Sequence, residues 1–331
     1  MKAVLMTRQG PPETLEVREI PEPAITVPTE IKVRLRAAGV NPIDTKLRRN
    51  GVLLPDGLPA VLGCDGAGEV VETGTGVSRY RPGDRVWFCN GGLGGLAGNY
   101  AEYTVLDERW AAPMPKTLDF ELAAAGPLVL ITAWGMLYDR GQLQPGQTVL
   151  IHAGAGGVGH VALQLAKLRG ARVLATVGSA ENAALARGWG ADAVINYREQ
   201  DFVQATNELT AGVGADLVMD TVGPDVFLRS IECTAHFGNL VTLLDPGGLS
   251  FREARIRNLR IGFELMLTPM LRNLDKAHDH HLEILRQCGE WVDRDRLQIH
   301  VSRVFPLEQA AAAHAQIETG HTVGKLVLKI D

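Results

Sequence analysis

The sequence predicts an α/β chain with two domains, one β-rich and one built on a doubly wound parallel sheet. Three observations predict it. Residues 147–178 read as strand, glycine turn, helix and strand within about 30 residues. Strand and helix patterns then alternate from Thr148 to Leu267, as a parallel sheet with crossover helices requires. Residues 1–110 instead carry short β-prone runs between Pro and Gly turns. At 331 residues the chain is too long for one ordinary core and suits two.

Taken in order, residues 2–6, 15–19, 30–38, 67–73, 85–88 and 101–106 are strand candidates. Residues 44–49 can form a helical turn. Residues 90–98, NGGLGGLAG, read as a mobile surface loop, because no strand–helix context makes them a phosphate cradle. Residues 119–141 read as helix, split around Gly126 and Pro127. The strands of the second domain are expected at 148–151, 171–177, 193–196, 215–220, 239–243 and 259–263, with helices at 158–168, 201–209 and 226–235. An amphipathic helix at 275–292 follows. A strand at 301–306, a helix at 307–318 and a strand at 325–330 close the chain and are expected to complete the first domain. The expected boundaries are 1–124 with 268–331, and 125–267.

The glycine turn carries the first chemical signal. Gly154, Ala155, Gly156, Gly157, Val158 and Gly159 fit G-x-G-x-x-G. Glycine lets a turn take positive φ and approach a pyrophosphate with no Cβ in the way. The following helix turns free N–H groups and its positive dipole end toward the anion. The plain alternative is a tight turn in an ordinary α/β domain. A cofactor with a free ribose 2′-OH wants an acid near the end of the second strand. Here that end is Thr176, Val177, Gly178 and Ser179, and Glu181 comes late. Small residues leave room for a 2′-phosphate, which Tyr197 and Arg198 after the next strand can reach. NADPH is therefore expected over NADH.

Composition excludes other classes. Hydrophobic content of 46% and charged content of 21% are globular values. The net charge of −5 and the lack of a basic run argue against nucleic acid. No apolar run reaches transmembrane length, and MKAVLMTRQG does not read as a signal peptide. The four cysteines are scattered with no C-x-x-C pair. A cytoplasmic protein with reduced thiols is expected. His278, Asp279, His280 and His281 read as a solvated polar turn.

Nine segments together carry a resemblance: AAGVNPID (37–44), LGCDGAGEVV (62–71), RPGDRV (81–86), AEYTV (101–105), LITAW (130–134), the glycine turn, ADAVINYRE (191–199), MDTVG (219–223) and GHTVGKLVL (320–328). In this order the chain resembles the zinc-free medium-chain dehydrogenase/reductases, in their NADPH:quinone oxidoreductase (zeta-crystallin-like) branch. The resemblance implies a GroES-like catalytic domain made from both chain ends, with a Rossmann domain inserted and a cleft where nicotinamide meets substrate. Relatives that use zinc carry a cysteine where this chain has Asn41, and a His-Glu pair where it has Cys64-Asp65. Asn is a poor zinc ligand, so no metal is expected.

Without a Lewis acid, hydride transfer suits an acceptor that is already polarised. Quinones and α,β-unsaturated carbonyls qualify, because the developing charge is delocalised and can be met by hydrogen bonds. Asn41 is the expected donor to a developing oxyanion or to the cofactor ribose, although Asn before Pro42 is also a natural turn residue. Asp44 is expected to orient that loop or cap the turn. Cys64 and Asp65 are expected to line the cleft floor. Thr132 fits the family's threonine at the cofactor-facing start of a helix, and Lys325 can pair with phosphate or edge a strand. Ligands bind at the carboxyl ends of such strands, and Val222, Leu243, Leu244 and Phe263 join the cofactor set there. Two departures stand out. Many relatives carry a tyrosine after Arg-x-Gly, where this chain has Val52, Leu53 and Leu54, so the pocket is more apolar. Some place a lysine for the 2′-phosphate where this chain has Asn182. The rival readings are oxidation of a small alcohol and a non-catalytic, crystallin-like NADPH-binding protein. A homodimer or homotetramer is expected through the apolar 259–267 segment.

Overall fold

The computed structural model describes residues 1–54, 56–248 and 250–331. The chain forms two compact units, one from Met1–Leu128 with Leu267–Asp331, the other from Val129–Met266.

The first unit is built on the long strand Glu30–Val40. Ile31, Val33, Leu35 and Ala37 alternate inward between Lys32, Arg34 and Arg36, the period-two pattern of a strand with one buried face. Beyond Ala37 the alternation stops, and Ala38, Gly39 and Val40 are all buried. One side of this strand pairs with Asp65–Thr73, which passes the sheet on to Arg85–Cys89 and Ala112–Pro113. The other side pairs with Lys325–Lys329, and Val301–Pro306 lies beyond it. The last strands of the chain thus complete the sheet of its first residues. Tyr103–Asp107 also pairs with Glu30–Val40. A second sheet sets Lys2–Met6 between Leu15–Glu19 and Ala60–Val61.

Two expectations change here. The strand expected at 101–106 runs at Tyr103–Asp107. Residues before it are bound elsewhere: Tyr100 N donates to Leu62 O, and Ala101 makes a single bridge to Ala3. The glycine-rich loop is packed rather than a free surface loop. Asn99 Nδ2 donates to the carbonyls of Gly63 (3.0 Å), Cys64 (3.0 Å) and Asn90 (2.9 Å). Leu93 is buried, and its carbonyl accepts from the N–H groups of Leu53 and Leu54.

The second unit is a six-stranded parallel sheet: Thr148–Ile151, Arg172–Val177, Ala193–Asn196, Ala215–Asp220, Thr234–Thr242 and Arg260–Phe263. Counted along the chain, their order in the sheet is 3-2-1-4-5-6, the doubly wound order of dinucleotide-binding folds. Leu150, Leu174, Ile195, Val218 and Leu240, one from each of five strands, join Phe202 and Phe227 in one core. The helix expected to reach Ala235 stops at Ser230, followed by a 3₁₀ turn at Ile231–Cys233. Thr234 already belongs to the next strand, and its hydroxyl bonds back to Ser230 O at 2.7 Å. Helices at Ala180–Gly188 and Arg252–Ile256 had no clear sequence pattern. The first buries only Ala183 and Ala186, too few apolar positions for a stripe.

Candidate cofactor and active site

In the second unit the glycine turn joins Thr148–Ile151 to the helix Gly159–Leu168. Its backbone corrects the expected reason for the glycines. The one positive φ is at Ala153 (51°), and Gly154, Gly156 and Gly159 are not among the positive-φ glycines. Their missing Cβ atoms matter instead. A Cβ on Gly159 would overlap the Ala153 carbonyl, and one on Gly154 would lie 2.9 Å from Ala175 Cβ. These two glycines let helix, turn and neighbouring strand pack together. At Gly156 a Cβ would meet only Ala153, its carbonyl oxygen at 3.1 Å, so this glycine keeps an outer surface low. The N–H groups of Gly157 and Val158 have no backbone partner among the described residues. Two such donors at the start of a helix fit an anionic diphosphate. Ala155 is buried beneath them.

The end of the second strand fits the adenosine side. Thr176 faces inward: its hydroxyl accepts from Ala153 N at 3.2 Å and bonds His152 Nδ1 at 3.1 Å. Thr176 therefore braces the turn from beneath, and its side chain is not presented to a ligand. Ser179 accepts from Asn182 N and caps Ala180–Gly188. Tyr197 crosses above Gly178, where a Cβ would come within 2.6 Å of its hydroxyl. Tyr197 and Arg198 are exposed, and the Arg198 guanidinium has no partner among the described residues. Its own backbone N–H, and then the Ser179 hydroxyl, lower the pKa of Glu181. Val222 and Phe263 are exposed, while Leu243 and Leu244 are half-buried after their strand. Asp220 steadies that end of the sheet, accepting from Val222 N at 2.9 Å and Thr242 Oγ1 at 2.8 Å. Thr132 is buried in the helix Pro127–Trp134.

The first unit gathers the other candidates into one buried polar cluster. Glu30–Val40 ends at Asn41, which opens the helix Pro42–Asn50. Pro42 stands at the first helical position, where its missing N–H costs nothing. Asp44 reaches back, its Oδ2 accepting from Asn41 N at 2.8 Å. Asp65 opens the neighbouring strand; its Oδ2 accepts from Asn41 Nδ2 at 2.9 Å and its Oδ1 from Leu128 N at 2.8 Å. Lys325 opens the closing strand and donates to Val40 O at 2.9 Å and to Asn41 Oδ1. Its ammonium is turned into the fold instead of toward a phosphate, which corrects one of its expected roles. Cys64 and Asp65 have no exposed surface, nor do Asn41 and Asp44. They lie beneath the surface rather than lining a floor.

Two members were not legible in sequence. Tyr100 donates to Asp44 Oδ2 at 3.0 Å and bonds His314 Nε2 at 3.2 Å. They lie 56 residues from Asp44 and 214 from Tyr100 along the chain, and no local pattern links such positions. Burial pushes Asp44 up to about 7, against the pull of Asn41 N–H and the Tyr100 hydroxyl. Burial likewise raises Asp65 and lowers Lys325, each pulled back by the other's charge. Burial and the nearby carboxylates push the Cys64 and Cys89 thiols well up. An amide engaged at both ends and a neighbouring ammonium do not fit a zinc ion. Among the described residues no group of three or more His, Cys, Asp or Glu is placed to hold a metal.

A model of the alcohol dehydrogenase GroES-like domain matches residues 27–116, and a model of zinc-binding dehydrogenases matches residues 189–328. The quinone oxidoreductase of Pseudomonas aeruginosa is 35% identical over 99% of each chain. The chain belongs to the medium-chain dehydrogenase/reductase family. Its first unit is the GroES-like domain and its second the Rossmann-type domain of that family. A 2-haloacrylate reductase from a Burkholderia species is 32% identical, over 99% of this chain and 98% of that one. The solved NAD-dependent alcohol dehydrogenase superposes with a TM-score of 0.89 at 36% identity, over all of both chains. Escherichia coli quinone oxidoreductase, solved with NADPH, superposes at 0.88 with 31% identity, again over all of both. As a medium-chain dehydrogenase/reductase this protein is an oxidoreductase with a nicotinamide cofactor and a small-molecule substrate. No helix among the described residues is long and apolar enough to cross a membrane.

Proposed function

We propose that this protein reduces a quinone or another conjugated carbonyl at the expense of NADPH, without a metal. The observation that carries the reading is the end of the second strand. Gly178 and Ser179 offer no carboxylate to a ribose hydroxyl, and an exposed Arg198, its guanidinium unpaired among the described residues, stands after the next strand. A 2′-phosphate is the anion such a site suits.

A bound NADPH supplies the hydride. The N–H groups of Gly157 and Val158 hold its diphosphate, Gly156 leaves room for it, and Tyr197 and Arg198 flank the adenosine phosphate. Asn41 donates from Nδ2 to the acceptor oxygen on which charge develops. A donor fixed in a dry, low-dielectric place is worth more than one in water. Asp44 keeps the Asn41 backbone at the helix start. The apolar run Val52–Leu54 offers no side-chain acid, so the final proton comes from water. The resemblance to P. aeruginosa quinone oxidoreductase supports a quinone, and that to the haloacrylate reductase supports an activated alkene.

The purified protein, mixed with NADPH and a panel of quinones and enones, should oxidise the cofactor with at least one of them. No oxidation with any acceptor sinks the proposal. A second reading, NAD-linked alcohol oxidation, is favoured by the likeness to the NAD-dependent alcohol dehydrogenase. Alcohol-dependent reduction of NAD in the same assay selects it. Cofactor binding without any turnover selects a crystallin-like role. The proposal includes a cytoplasmic location, which the four unpaired and buried cysteines support.

A further inference from the structure

Asn41 is gripped from two sides by opposite charges. Lys325 Nζ donates to its Oδ1, and Asp65 Oδ2 accepts from its Nδ2 at 2.9 Å. The ammonium and the Asp65 carboxylate stand 4.0 Å apart, and both side chains are buried. The two ends of a carboxamide have nearly the same shape but opposite hydrogen-bonding sense. An ammonium has no acceptor, and an ionised carboxylate has no donor. Between them the amide can sit one way only, with its oxygen on Lys325 and its nitrogen on Asp65. The Asn41 nitrogen carries two hydrogens, of which Asp65 takes one. The other is the one polar hydrogen of this side chain with no partner among the described residues.

The grip is an odd way to gain stability. Burying an ammonium is costly, and a buried ion pair is often replaceable by an apolar side chain of similar volume. Here the pair does not even meet directly. The two hydrogen bonds of Lys325 Nζ go to Val40 O and Asn41 Oδ1, both on the segment that carries the donor. What the cation supplies that a methionine could not is the direction and polarisation of that amide.

We propose that Lys325 is a positioning residue. With Asp65 it locks the Asn41 amide so that its second Nδ2 hydrogen is a fixed donor for the acceptor oxygen. This rests on the reading of Asn41 given above. It also reassigns Lys325 from cofactor phosphate to the reacting end of the site.

The test uses Lys325→Met, Lys325→Arg, Asn41→Ala and the double variant Lys325→Met/Asn41→Ala in the full-length protein. Steady-state rates with NADPH and a quinone separate kcat from KM. Lys325→Met should lower kcat about 100-fold, the scale of losing one oxyanion donor. The KM for NADPH should stay within about threefold, because no phosphate contact is lost. Lys325→Arg, which keeps the cation, should recover part of the kcat. Asn41→Ala should cost about 100-fold alone and under about threefold once Lys325 is gone, since both act through one bond. A full, multiplicative loss in the double variant overturns the proposal, as does a raised NADPH KM with kcat unchanged.

A second readout does not depend on turnover. The Asn41 side-chain amide signals, assigned by their loss in Asn41→Ala, should be two distinct, slowly exchanging proton resonances in the parent. In Lys325→Met they should move toward the shifts of a free carboxamide and exchange faster with solvent as the amide gains a second orientation; unmoved, slowly exchanging signals contradict the lock. Should Lys325→Met not fold, Asn41→Asp takes its place. It keeps a partner for the ammonium but removes the donor, and should bind NADPH normally with kcat about 100-fold down. Parent-like kcat in that variant overturns the proposal. A parent that turns over no acceptor sinks the functional reading instead, and the amide signals still decide the lock.

Discussion

Asp44 shows how much one buried side chain ties stability to pH. Burial lifts it from 3.8 to about 7, so the folded protein keeps a proton that the unfolded chain releases near pH 4. Its contribution is full below that pH and is lost as the pH rises through 7. Asp44→Asn removes the titration while keeping an acceptor for Asn41 N and Tyr100. From pH 5 to 8 the melting temperature of the variant should gain on that of the parent, and parallel curves would contradict the assignment. His152 and His314, held neutral at about 3 by burial, act in the opposite sense and lose stability as the pH falls below 6.5. They are common to both proteins and cancel in the difference. The glycines allow a second comparison. Gly159→Ala forces a Cβ onto the Ala153 carbonyl and should cost about 1–3 kcal/mol of stability by denaturant unfolding. Gly156→Ala meets far less, and should leave stability within about 0.5 kcal/mol. Its effect should fall on NADPH, with affinity about tenfold weaker by fluorescence titration. Equal effects of the two changes would remove the division of roles. The sequence identified these glycines as a motif, but not that the left-handed residue is Ala153. G-x-G-x-x-G records where a Cβ is forbidden, and is silent on whether conformation or contact forbids it.

Elements were legible wherever one face meets one core. Glu30–Val40 alternates cleanly, the helix Asp275–Asp293 carries an apolar stripe, and the strands of the parallel sheet read as short apolar runs. What sequence missed lies where tertiary contacts override the local pattern. Residues 90–98 look like a solvated loop by composition, yet the side chain of Asn99 and the backbone of Leu93 bind them into the unit. In sequence Lys325 can pair with phosphate or edge a strand, and its ammonium is instead bonded to a segment 284 residues away. The proposed 2′-phosphate site belongs to this scale, because it lies where two neighbouring strands finish. Arg198→Ala should lower the preference for NADPH over NADH at least tenfold, read as the ratio of kcat/KM values. An unchanged ratio would place the phosphate elsewhere.

Across the whole molecule, the chain closes its first sheet with its last strands and, among the described residues, leaves the second sheet with two edge strands. Arg260–Phe263 is one of them, and near it Phe263 and Leu265 are exposed at 55% and 52%. An apolar, unpaired edge is a surface that a second copy can cover. Light scattering at micromolar concentration should give a dimer or a larger even assembly, and Leu265→Lys should shift it toward monomer. A parent already monomeric removes the idea. On the proposed function, the bend from Gly154 to Gly159 and the strand end at Gly178–Ser179 together hold a dinucleotide bearing a 2′-phosphate. Thermal unfolding with NADPH beside NADH tests it most directly, because a ligand bound only by the folded state adds about 2.7 kcal/mol at a hundred times its Kd. At equal concentrations NADPH should raise the melting temperature by several degrees and NADH by clearly less. No shift with either, or a larger shift with NADH, would contradict the account.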